Sequence, residues 1–176
     1  GHIGIAINGA ADKSQIRYYN GVTQLEIEGA SGLKKNSVDK LNPIVARGFL
    51  IDVAGAKGVA NLEAGYEITM ADVREALAKQ GLADVKFLPG DGIFFRTGWG
   101  VHWIKDNAKF NSGEPGIGME VAKWLSDTVQ AGVVGSDTWG LENVPAKDAG
   151  CAFCVHAHLL TRHGIVNQEN MDLDAL

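Results

Sequence analysis

Between residues 44 and 168 the chain alternates short β-branched runs with stretches of helical spacing, and no other feature narrows the fold as far. Ile44 to Val53 is apolar, β-branched and ends in Asp52, the pattern of a strand. Thr69 then opens a helix as its N-cap, with Asp72 and Glu75 in the early turns and Gly81 as the stop. Val73, Ala76, Leu77 and Gln80 form its inward stripe. Pro89-Gly90-Asp91 turns the chain into a buried strand, Gly92 to Thr97. A second helix runs from about Met119 to Val129, with Val121, Trp124, Leu125 and Thr128 at helical spacing. Gly132 to Ser136 is a short strand, and a last helix and strand follow. The order β–α–β–α–β–α–β implies one α/β or α+β domain, a mixed sheet core flanked by helices.

The N-terminal third is less regular. Ile3 to Ile7 reads as a strand and Asn8 to Ser14 as a loop. Tyr18-Tyr19-Asn20-Gly21 reads as a turn, since Asn-Gly tolerates positive φ, and Gly29 to Asn42 as loop with a helical turn. No internal repeat or linker divides the chain.

Composition restricts the partners. Sixteen basic against 21 acidic residues give a net charge of −5 without a basic cluster, which argues against nucleic acid or an anionic membrane. No apolar run approaches the ~18 residues of a membrane span. A small-molecule ligand and a cytoplasmic location are the resulting expectations.

Residues 155–173, VHAHLLTRHGIVNQENMDL, carry the densest chemistry. A helix bearing His156 and His158 ends at Gly164, and a short extended run delivers Glu169 and Asn170. A helix–turn–strand returns imidazole and carboxylate towards one point, and these are ligand types for borderline and hard metals. The two histidines are i and i+2 on a helix, so they diverge by ~200° and cannot easily share one metal.

Several segments in order resemble the cyclase family of metal-dependent hydrolases, which includes kynurenine formamidases and isatin hydrolases. They are Gly1-His2-Ile3-Gly4, Tyr18-Tyr19-Asn20-Gly21, Ala46 to Asp52, Pro89-Gly90-Asp91 with Arg96 to Trp99, Gly135 to Trp139, and His156 to Asn170. The family's metal motif reads HxGTHxDxPxH; here only its last element is visible, as His2. The residues that would carry HxGTHxD lie before position 1, so residues 1–176 read as one cyclase-like domain that is N-terminally incomplete. The resemblance implies His156 and Glu169 as metal ligands, with His158 as the alternative to His156, and His2 as the catalytic acid/base. It implies a divalent zinc or manganese ion and a homo-oligomer. The expected reaction is hydrolysis of a small amide, lactam or ester by metal-activated water. Some relatives with a Gly-His-Ile-Gly segment carry glutamine in place of the upstream histidines. A metal-free relative that binds a small ligand or serves as a structural subunit is therefore the second reading.

Other residues have plainer explanations beside functional ones. His163, beside Gly164, suits a helix C-terminus as a cation. Cys151 and Cys154 form a CxxC, read as buried reduced thiols more readily than as a redox or zinc motif. Asp52 and Asp137 end candidate strands, where ligand crevices of open α/β sheets lie, although loop capping explains them as well. Tyr19, Trp99, Asp137 and Trp139 are the pocket candidates for a small cyclic or aromatic substrate, with Tyr18 and Trp103 beside them, and core packing is the competing account of the aromatics.

Overall fold

The alternating pattern becomes a parallel sheet of four strands, neighbours in space as they are in sequence. The computed structural model describes residues 4–6, 12–148 and 150–176. In it the sheet strands are β1 (Gly48–Asp52), β2 (Gly92–Arg96), β3 (Val133–Ser136) and β4 (Val166–Gln168). Gly48 pairs with Gly92, Gly92 with Val133, and Val133 with Val166, so one register line crosses the whole sheet. The helices that flank it are α1 (Val53–Lys57), α2 (Met70–Lys79), α3 (Met119–Lys123, continuing as a π-helical turn Trp124–Val129) and α4 (Cys154–His156, continuing as a π-helical turn Ala157–Arg162). This is the α/β class that the sequence implied. Pairing within the sheet is wholly parallel; antiparallel ladders occur outside it, between Ile5–Ala6 and Ile16–Arg17 and between Glu28–Gly29 and Gly32–Leu33.

The core forms where β-branched and aromatic strand residues meet the helix stripes. Ile51, Ile93, Phe95 and Val134 from the strands pack with Val73, Ala76 and Leu77 of α2, Val121 and Leu125 of α3, and Val155 and Leu159 of α4. Central strands of a parallel sheet are covered on both faces, hence their nearly continuous apolar character. Thr69 caps α2 through the predicted position, with Asp72 closing a capping box.

Three expectations shift. β1 begins at Gly48 rather than Ile44. Residues 44–47 lie outside the sheet, and Arg47 instead grips Asp91 through Nε and Nη2 at 3.1 and 2.6 Å. In α3, Thr128 faces solvent while Val129 is buried. The wider π-helical turn moves the inward position by one residue relative to 3.6-residue spacing. Gln80 is likewise exposed. Its amide accepts from Asp52 N at 3.1 Å and donates to Leu50 O at 2.9 Å. β1 is an edge strand, and Gln80 occupies backbone groups that would otherwise offer an open edge.

Asp137 closes the sheet's carboxyl end. Its Oδ1 accepts from Thr97 N at 2.9 Å and Thr97 Oγ1 at 2.6 Å, and its Oδ2 from Gly98 N at 2.7 Å. Gly98 has φ +75°, and a Cβ there would collide with the Ala60 carbonyl. Burial raises the Asp137 carboxyl above its usual range, while the bonds from Thr97 and Gly98 pull it back. Asp52 similarly caps α1 at Gly55 N and pairs with Arg96. Both aspartates therefore stitch the fold.

Two stability outcomes are expected. Asp137→Asn turns an amide N–H₂ towards backbone donors and costs about 2–4 kcal/mol in urea unfolding. Gln80→Ala costs about 1 kcal/mol and increases association through the exposed edge, read by light scattering. Unchanged midpoints would remove both assignments.

Candidate functional site

A chain of three side chains, Glu142 and His156 buried and Glu169 half-buried, stands near the carboxyl ends of β3 and β4. His156 stands in the first turn of α4, which begins just after Phe153, whose positive φ of 55° turns the chain into the helix. Its side chain is 1% exposed. Glu142, in the loop after β3, lies 2.6 Å from His156 Nδ1 and also accepts from the backbone N–H groups of Val155 and His156 at 3.2 and 3.0 Å. Glu169 follows β4 directly and lies 2.7 Å from His156 Nε2. The Phe153 ring meets the imidazole edge-on, 5.3 Å between centroids.

Electrostatics follow from that geometry. Burial alone would disfavour a charged imidazole, but hydrogen bonds to Glu142 and Glu169 outweigh it and raise His156 to about 9. A third acid, Glu114, is fully buried beside this chain. Its Oε2 accepts from Trp139 N at 2.7 Å and Gly140 N at 3.1 Å. Its Oε1 has no partner among the described residues. Burial lifts Glu114 to about 8, and the charge of Glu169 adds to the rise, while the Trp139 and Gly140 N–H groups and His156 oppose it. Gly140 leaves room for this oxygen, since a Cβ there would stand 2.7 Å from it.

The residues singled out in the sequence separate into groups. His156 and Glu169 come together. His158 points elsewhere, to Ser126 Oγ at 2.9 Å, as i and i+2 spacing requires. His2 lies outside the described residues. Trp99 is 1% exposed and packs in the interior, and its Nε1 and that of Trp139 both donate to Phe110 O. Asp137 borders a cavity of about 270 Å³ together with Gly100, Trp103, Phe110 and Asn170, but its carboxylate is spent on Thr97 and Gly98. Tyr19 lines a separate cavity of about 630 Å³ with Tyr18, Leu160 and Asn167, against the far end of α4. His156, Glu142 and Glu169 line neither cavity. Cys151 and Cys154 are joined as a disulfide, not left as thiols; their Cα atoms are 5.2 Å apart, within bridging reach.

Glu114 and Glu142 are functional candidates that pattern reasoning misses. Both sit in irregular loops, where no periodicity reports on burial. The available signal is local: Gly113-Glu114-Pro115-Gly116 and Gly140-Leu141-Glu142-Asn143 each place one acid in an otherwise apolar, glycine-containing stretch. An acid in such a setting finds backbone N–H groups close by.

A divalent cation suits this donor set in kind. His156 Nε2 and a Glu169 oxygen are adjacent, and Glu142 on Nδ1 supplies the carboxylate–histidine support that orients metal-binding imidazoles. These two donors are fewer than a tetrahedral zinc site takes.

Known proteins resemble this chain. A family model described as Putative cyclase matches residues 20–143. A crystal structure of a novel cyclase is 32% identical, with a TM-score of 0.70, covering 95% of this chain and 54% of its own. Isatin hydrolase A from Ralstonia solanacearum is 22% identical, with a TM-score of 0.61, over 80% of this chain and 54% of its own. An isatin hydrolase bound to the product analogue thioisatinate is 21% identical, with a TM-score of 0.59, over 76% and 50%. The chain thus spans about half the length of these solved structures. No curated protein matches it. Among the described residues, no helix is long and apolar enough to cross a membrane. A match that runs through β1, β2 and β3 to the glutamate holding His156 makes this chain a member of the cyclase family.

Proposed function

We propose that the chain belongs to a metal-dependent hydrolase acting on a small amide, lactam or ester, with isatin-like lactams as the first substrates to try. The observation that carries this reading is the Glu142–His156–Glu169 chain. It presents one imidazole nitrogen and one carboxylate side by side, at the end of a parallel sheet where α/β proteins place their ligands. His156 Nε2 and Glu169 would hold the ion, with further donors from outside the described residues. When bound, a divalent cation supplies Lewis acidity, which polarises a carbonyl and acidifies water.

The chain's own residues perform the rest. Glu142 fixes the His156 ring, keeping the proton on Nδ1 and Nε2 turned to Glu169. The N–H groups of Val155 and His156 hold Glu142 in turn. Glu114, kept protonated near neutrality by burial, adds no further negative charge beside Glu142 and Glu169. His2 takes the acid/base role that the family motif gives its last histidine, delivering a proton to the leaving nitrogen.

The second reading, a metal-free relative, is favoured by a specific observation. Both His156 nitrogens are already engaged by carboxylates, so a charged imidazole bridges the two acids without any metal.

The two readings separate on the purified protein. Under the first, stoichiometric zinc or manganese is found by mass spectrometry and isatin is hydrolysed in a chelator-sensitive way. Glu169→Gln then removes activity, and Glu142→Gln lowers metal affinity or activity by about 10–100-fold. Absence of bound metal and of hydrolysis under metal supplementation would sink the first reading. A further outcome concerns Glu114. Its folded value of about 8 lies above that of an unfolded glutamate. Its contribution is therefore fully present below about pH 4.5 and is lost as pH rises to about 8. Urea midpoints should fall across that window in the wild type and fall less in Glu114→Gln; parallel curves would contradict the assignment.

A further inference from the structure

On the far side of α4 from His156, where α3 and α4 pack together, a second group of ligand-bearing side chains meets. Asp127, His158 and His163 each bring one ligand atom to within 4.8 Å of the other two. The two imidazole rings lie 4.5 Å apart with planes inclined by 44°. We propose that Asp127, His158 and His163 form a surface site for a borderline divalent transition metal such as zinc, nickel or cobalt. The site stands whether or not the hydrolase reading does.

The helix geometry explains the convergence. In a regular α-helix, residues five apart diverge by ~140°. The turn between His158 and His163 is π-helical, closing hydrogen bonds at i+5, so the two side chains rise on one face. Asp127 lies within the π-helical turn of α3. Both elements that supply ligands thus depart from α-geometry at the positions that supply them, and such turns are frequent at functional sites.

Supporting contacts are already in place. Ser126 Oγ lies 2.9 Å from His158 Nε2, 2.7 Å from Asp127 Oδ1 and 3.1 Å from Lys123 O. With the hydroxyl proton directed to Asp127 or to the Lys123 carbonyl, His158 donates from Nε2 and keeps the Nδ1 lone pair for a metal. One hydroxyl therefore orients two ligands, as outer partners do in metal sites. The donor set selects the class of ion. One carboxylate and two imidazoles give calcium or magnesium, which rely on several oxygen ligands, little to hold. Coordinate bonds to two imidazoles suit zinc, nickel and cobalt. Asp127 and His163 are exposed and His158 is half-buried, which leaves the remaining coordination positions open to water.

Zinc titration at neutral pH, by calorimetry and equilibrium dialysis, tests the site on the wild type, D127N, H163Q and E169Q. The expected result is one zinc equivalent that E169Q retains and that D127N and H163Q each weaken by about 10-fold or more. Circular dichroism of the two surface variants should match the wild type. Unchanged binding in both, weakening in only one, loss in E169Q alone, or no zinc uptake would each overturn the proposal. A measurement without variants runs in parallel. Nickel should broaden the ring-proton NMR signals of His158 and His163 before that of His102, and equal broadening of all three would count against the site.

Discussion

Three buried carboxylates, each accepting two successive backbone N–H groups, hold the carboxyl end of the sheet together. Asp137 accepts from Thr97 and Gly98, Glu114 from Trp139 and Gly140, and Glu142 from Val155 and His156. Each bond pair joins segments distant in sequence: the loop after β2 to the end of β3, the segment before α3 to the loop after β3, and that loop to the start of α4. Regular elements satisfy their own backbone groups, but the loops that build a site cannot, so acids from other loops do it for them. His156 is the last link of this set, since Glu142 holds both its backbone and its ring.

This arrangement explains what the sequence disclosed. Strands and helices follow periodicity, which a single chain carries in plain form: Val73, Ala76 and Leu77 are inside as their spacing requires. His156 and Glu169 were legible because a helix–turn–strand brings them together over a short stretch. Glu114 and Glu142 were not, because their partners depend on how loops cross after the sheet has formed. Gln80 was misassigned to the core for a related reason. Its spacing is apolar-like, but its position beside an edge strand gives an amide better work than burial.

Departures from α-helical geometry fall where the inward stripe gives way to polar chemistry. In α3, the π-helical turn brings Val129 into the core in place of Thr128 and sets Asp127 and Ser126 towards α4. In α4, it follows His156 immediately and sends His158 to Ser126. A wide turn costs hydrogen-bond quality but changes which residues share a face. That freedom lets one short helix serve the Glu142–His156–Glu169 chain on one side and a histidine pair on the other.

Charge accounting gives the site its coherence. Two carboxylates, Glu142 and Glu169, flank one imidazole. Against them a charged imidazole supplies one unit of positive charge, and a divalent cation beside a neutral imidazole supplies two. A third ionised acid at Glu114 would leave excess negative charge in either case, in a setting where burial leaves little solvent to screen it. Its second oxygen has no partner among the described residues, and burial keeps its proton. The fold can therefore place three acids around one histidine only because the environment of one of them keeps it neutral.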